Sequence, residues 1–170
     1  MGPSTPSFTL HIFPTSRPVL RSARGWWISC LIPAGPEEFF VDEKQRYDEG
    51  MQVRRAVLGD AHVDRSLNAL TEFNSEFQEM ITRHAWGDIW TRPGLPRHTR
   101  SLITIAMLIG MNRNEELKLH LRAAANNGVS RSEIKEVIMQ SAIYCGIPAA
   151  NATFHLAESV WDELGVESRG

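Results

Sequence analysis

Glu116 and His120 stand four residues apart in the stretch RHTRSLITIAMLIGMNRNEELKLHLRAA, residues 97–124. A helix there puts them one turn apart on a single face. Arg97, Arg100 and Arg122 lie nearby in the chain. A carboxylate next to a histidine can fix the imidazole tautomer and raise its basicity, and a guanidinium can grip a carboxylate through two hydrogen bonds. In a mostly apolar setting this set suits acid–base chemistry on a small anion, with His120 as proton donor and Glu116 as its orienting or relay partner. The plainer alternative is an ordinary i,i+4 surface pair and solvated arginines. Arg122 is two residues from His120 and so points about 200° round the helix, toward a salt bridge or a neighbouring subunit's site.

The elements that must hold these groups read as helices. Ile103, Ile105, Ala106, Met107 and Ile109 lead to Gly110, a break covers residues 112–114, and a second helix closes at Asn127-Gly128. Upstream, Tyr47, Met51, Val53, Val57 and Leu58 form an amphipathic segment ending near Gly59. Asp64 is expected to cap a longer helix carrying Leu67, Leu70, Phe73, Phe77, Met80 and Ile81. HAWGDIWTRPGLP is expected to be a loop, with Trp86, Ile89 and Trp90 as a pocket wall or subunit contact. Ser130 and Glu133 form a capping box, Gly146 stops that helix, and Pro148 opens the last one, which ends at Gly165. No convincing strand alternation occurs. The fold class is all-α, a helical bundle of about six helices. Small residues from Ala123 to Ala157 allow close helix approach, and the apolar helix surface predicts a homo-oligomer.

Composition bounds the function. A chain of 170 residues with 42% hydrophobic and 22% charged content is globular, and a net charge of -2 with pI near 6.3 argues against nucleic-acid binding. No apolar run reaches the ~20 residues of a membrane span. Cys30 and Cys145 form no CxxC pair, and no Cys/His spacing suits a metal, which together point to a cytoplasmic protein. Residues 1–40 carry six of the nine prolines, no acidic residue before Glu37 and no helical periodicity. They read as poorly ordered leader upstream of a true start at Val41, better than as a secretory signal or transit peptide.

The motifs WGDIWTRPGLPRHTRSLITIAML, ELKLHLRAAANNGVSRSEIKEV and AIYCGIPAANATFHLAE run in order through residues 42–164, and there the chain resembles the 4-carboxymuconolactone decarboxylase family of the alkylhydroperoxidase D-like superfamily. Peroxidase members of that superfamily carry C-x-x-C-x-x-x-H. In that alignment the histidine is His120 and the cysteine positions hold Arg113 and Glu116, which excludes dithiol chemistry at this site.

The resemblance implies a dicarboxylate lactone substrate that loses CO2 without a cofactor, in the 3-oxoadipate route of aromatic breakdown. It also implies assembly as a trimer or hexamer. Arg100, Arg122 and Arg97 are then candidates for carboxylate binding. Tyr144 could donate to the lactone oxygen or serve as a half-buried packing residue, and Cys145 is expected to be a small buried hydrophobe. His155 could face the pocket or be a hydrogen-bonded structural histidine; His84 and His98 receive no role. Another lactone or keto acid, or an idle oligomeric binding subunit, remain the alternatives.

Overall fold

The computed structural model describes residues 42–165, and the leader assigned to residues 1–40 lies outside them. Among the described residues there are seven α-helices, one π-helix and one 3-10 turn, with no strand. Asp42 opens α1 (Glu43–Leu58): its carboxylate accepts from the Lys44 N–H at 2.9 Å. Gly59 ends α1 at φ 87, a conformation that suits glycine.

The long helix expected from Asp64 is replaced by two short ones, α2 (Asp60–Asn68) and α3 (Ser75–Ile81). Asp64 is no cap; it sits inside α2 and binds Arg55 at 2.8 Å. Between the helices the Asn74 side chain accepts from Thr71 N–H at 2.8 Å and donates to the Ala69 carbonyl at 3.3 Å. These local bonds offer the backbone an alternative to helix, and they win. Four of the six apolar residues that suggested one helix are left outside, Phe73 fully and Leu70, Phe77 and Met80 in part, while Leu67 and Ile81 pack against the smaller core.

The expected Trp-rich loop is also helical for most of its length. α3 runs directly into a π-helix (Thr82–Trp90), and only residues 91–96 are loop. Gly87 breaks nothing, because its missing side chain lets this helix lie against α1. A Cβ on Gly87 would come within 2.6 Å of the Arg46 carbonyl oxygen, and one on Gly50 within 2.8 Å of Gly87 N. Two backbones thus touch where side chains would normally keep them apart.

The rest follows the sequence closely. α4 (Arg97–Gly110) reaches a turn in which Asn112 adopts φ 54, a left-handed conformation that asparagine tolerates. α5 (Asn114–Ala123) then continues as a 3-10 turn (Ala124–Asn127) closed by left-handed Gly128. The capping box is present: Glu133 N–H donates to Ser130 Oγ at 3.3 Å, and Ser130 N–H to Glu133 Oε2 at 2.9 Å. It opens α6 (Arg131–Tyr144), and Pro148 lies in the first turn of α7 (Ile147–Glu163).

Two apolar cores result. Ile105 and Ile109 of α4, Leu117 and Leu121 of α5, Ile134 and Ile138 of α6, and Ala150, Ala157 and Val160 of α7 form the larger. Full burial of each large aliphatic side chain stabilises by about 1.5–3 kcal/mol. The smaller joins Val53, Val57, Val63, Trp86 and Ala123, so it needs α1, α2, the π-helix and α5 together. Asn126 fastens this second core by donating to the Val57 carbonyl at 3.2 Å, across a separation of 69 residues.

Gly50→Ala should therefore lower stability by about 1–3 kcal/mol through overpacking against backbone that cannot yield cheaply. Urea unfolding checks this: the midpoint should fall with little change in slope.

Candidate active site

α5 sets the orientation of the central pair. Leu117 and Leu121 point into the larger core, which places Glu116 and His120 on the adjoining stripe. There the two residues part company. Glu116 is exposed, whereas most of the His120 ring is covered. No hydrogen bond joins them among the described residues, so the expected relay pair is not assembled within this chain.

The partner of the imidazole is aromatic. Trp90, the last residue of the π-helix, lies with its ring centroid 6.5 Å from that of His120 and at an interplanar angle of 17°. Trp86 supports it from one turn back, 5.2 Å between centroids. His120 Nδ1 is buried and has no hydrogen-bond partner among the described residues. Burial, helped by nearby His62, pushes the imidazole down from 6.5 to about 4, so it is neutral at pH 7. A neutral, desolvated histidine with a vacant ring nitrogen can accept a proton when an anion arrives to stabilise the imidazolium, and can then deliver it.

Trp90 also lines an open groove of about 410 Å³ together with Glu49, Gln52, Arg92, Pro96 and Arg97. Arg97 begins α4, and Arg92 lies in the loop before it. Neither guanidinium has a carboxylate partner among the described residues. Arg100 braces this wall: its Nη2 donates to the Arg92 carbonyl at 3.0 Å, while its buried Nε has no partner. The groove therefore offers cationic groups on one side and an aromatic wall that reaches His120.

The other candidates lie apart from this arrangement. Arg122 and Lys118 both bind Glu163 of α7, the lysine at 2.8 Å. Tyr144 is 80% exposed rather than half-buried. Cys145 is exposed, not a buried hydrophobe, because it follows the last turn of α6 and its Sγ rests near Gly110. His155 is exposed on α7, 3.8 Å from Glu158. His84 pairs with Asp88 and His98 with Glu133, each at 2.9 Å. Sequence reasoning missed Arg92, His62 and Arg54. Only Arg54 left a signal, a charged residue on the buried stripe that runs through Gly50, Arg54, Val57 and Leu58 of α1.

The model of the carboxymuconolactone decarboxylase family matches residues 75–159. A 4-carboxymuconolactone decarboxylase of Acinetobacter baylyi is 53% identical over 126 residues, 74% of this chain and 94% of that protein. The chain belongs to the carboxymuconolactone decarboxylase family. Two more relatives fit that placement. A 4-carboxymuconolactone decarboxylase sequence of Pseudomonas putida is 81% identical over 48 residues, 28% of this chain and all of that sequence. A nitrosuccinic acid decarboxylase of Metarhizium robertsii is 47% identical over 110 residues, 64% of this chain and 77% of that protein. The family match spans α3 through most of α7, so it includes the π-helix, the loop arginines and His120.

The imidazole carries a measurable consequence for stability. Its folded-state value of about 4 lies below the ordinary 6.5, so the unfolded chain binds the proton more readily. That contribution is whole above pH 6.5 and is lost as the pH falls toward about 4, at most about 3 kcal/mol. Denaturation of wild type and His120→Gln at pH 7 and pH 4.5 should show the wild type losing more on acidification.

Proposed function

We propose that this protein is a cofactor-independent carboxy-lyase that converts 4-carboxymuconolactone to 3-oxoadipate enol-lactone and CO2 during protocatechuate breakdown. The observation that carries this reading is 53% identity over 94% of a 4-carboxymuconolactone decarboxylase. The nitrosuccinic acid decarboxylase relative supports the same reaction class on another small dicarboxylic acid, which is the second reading.

The chemistry asks little beyond what the site holds. The bond from ring carbon to carboxylate breaks, and its electron pair flows through the ring double bond into the lactone carbonyl. The substrate is its own electron sink, so no separate one is assigned. A proton then joins carbon, and one proton is consumed per CO2 released. Arg97, with Arg92 beside it in the groove, supplies charge for the carboxylates, and Arg100 holds that wall in place. His120 delivers the proton. Because it is neutral in the free protein, the arriving dianion supplies the opposite charge that lets it take one up. Glu116 can assist only from the exposed side of α5.

A second copy of the chain is part of this reading. Ile103, Met107 and Met111 form an exposed apolar stripe along α4, and Met139 and Ile143 another on α6. Such surface is more than a monomer needs and suits a trimer or hexamer. No helix among the described residues is long and apolar enough to cross a membrane. We place the enzyme in the cytoplasm, where its soluble substrate would be met.

The test is an absorbance assay with freshly generated 4-carboxymuconolactone, EDTA present and no cofactor added. Enol-lactone and CO2 should form rapidly; a folded protein that gives no turnover would overturn the reading. His120→Ala should lower kcat by about 10²–10⁴-fold while the fold and native mass stay unchanged. In NMR titrations, added maleate should raise the pKa of His120 above the free value of about 4.

A further inference from the structure

Arg54 is the charged side chain most thoroughly taken out of water among the described residues, only 5% exposed. All of its hydrogen-bond partners are neutral. Nη1 donates to Thr82 Oγ1 at 3.2 Å, and Nη2 donates to Ser66 Oγ at 3.0 Å and Gln78 Oε1 at 2.9 Å. Its Nε is buried with no partner. The nearby carboxylates are engaged elsewhere: Asp64 and Asp60 bind Arg55, and Glu79 binds Arg83. The groups electrostatically coupled to it are Tyr47 of α1 and His62 of α2, and neither is a carboxylate.

A buried cation with no counter-ion is costly, and hydroxyls and an amide could be bridged by a neutral side chain at smaller cost. A guanidinium does not escape by losing its proton near neutral pH. Its place in the fold gives the charge a use. Thr82 is the first residue of the π-helix whose last residue, Trp90, covers His120. His62, one turn before Ser66 on α2, is pushed below its ordinary value by burial, then by Arg65 and Arg54, and it in turn lowers His120.

We propose that Arg54 is a positioning residue of the His120 site: its unmatched positive charge makes the interior favourable to a doubly negative substrate, and its bond to Thr82 ties down the start of the π-helix that ends at Trp90. This rests on the reading that the substrate is a small dicarboxylate. The substrate supplies, only while bound, the negative charge that the fold withholds. A permanent carboxylate beside Arg54 would satisfy the guanidinium equally well and cancel that attraction.

Gln78→Glu makes that change with the same heavy-atom shape, so the Nη2 bond can persist while the charge is neutralised. Gln78→Met removes the bond and keeps the charge. Gln78→Glu should fold with unchanged or higher Tm, raise KM for 4-carboxymuconolactone roughly tenfold with little loss of kcat, and shift the His62 NMR titration to higher pH. Gln78→Met should leave KM within about twofold, since the field persists. An unchanged KM and unchanged His62 titration in Gln78→Glu would overturn the proposal. So would an equal rise in KM in both variants, which would reduce Arg54 to a mechanical clamp. Should Gln78→Glu not fold, Ser66→Asp places the carboxylate on the other Nη2 partner and is read in the same way. Absence of lactone turnover in the wild type would sink the functional reading instead, and the His62 titration would still decide whether the Arg54 charge acts.

Discussion

Backbone meets backbone where Gly50 of α1 faces Gly87 of the π-helix, and the position of every group near His120 depends on that contact. With no Cβ on either side, the two helices approach closely enough for Thr82 to reach Arg54 and for Trp86 to enter the smaller core. Trp90, one turn on from Trp86, is thereby set against the imidazole. The larger core of α4 to α7 needs none of this. Its leucines and isoleucines pack against one another with no residue of α1, α2 or the π-helix among them. Packing at two glycines thus shapes the surroundings of a histidine some seventy positions away from the first of them.

The electrostatics of the site follow from where charges are left unmatched. At the surface, opposite charges find each other: Lys118 and Arg122 converge on Glu163, and Arg46 reaches Asp88 at 3.1 Å. Such exposed pairs are worth little each. Around the pocket the pattern changes. Arg54 has neutral partners, and Arg92 and Arg97 face a groove with no carboxylate bonded to them. Burial first, and then neighbouring positive groups, lower both His120 and His62 below the ordinary imidazole value.

What could be read from the sequence was what local rules decide. The Ser130–Glu133 box, the stops at Gly59, Gly128 and Gly146, and the turn before α5 all depend on neighbours within about four residues. His120 was singled out by its place in the family motif, but its contact with Trp90 was not foreseen. Misreadings came where a distant partner or a competing local bond intervened. Asn74 ended the helix expected through Phe73, although the apolar spacing favoured it. Gly87 looked like a breaker because its reason, Arg46 on another helix, lies forty residues upstream. Tyr144 and Cys145 carry apolar character but end on the surface of the single chain, as helix-end positions often do. Arg54 shows the converse: its place on the apolar stripe of α1 is a local signal, but its neutral partners are seen only once Ser66, Gln78 and Thr82 are assembled around it.

The bond from Asn126 to the Val57 carbonyl, 69 residues apart, also bears on how the protein is made. Synthesis runs from the N-terminus at about 5–20 residues per second, so α1 waits roughly 3–14 seconds for the segment that completes its packing. Throughout that interval Val53 and Val57 are presented to solvent with their final neighbours still inside or upstream of the ribosome exit. The half of the molecule that creates the pocket is thus the half most exposed to premature association during translation. Slowing elongation lengthens that exposure, whereas α4 to α7, built from consecutive segments, close almost as fast as they emerge.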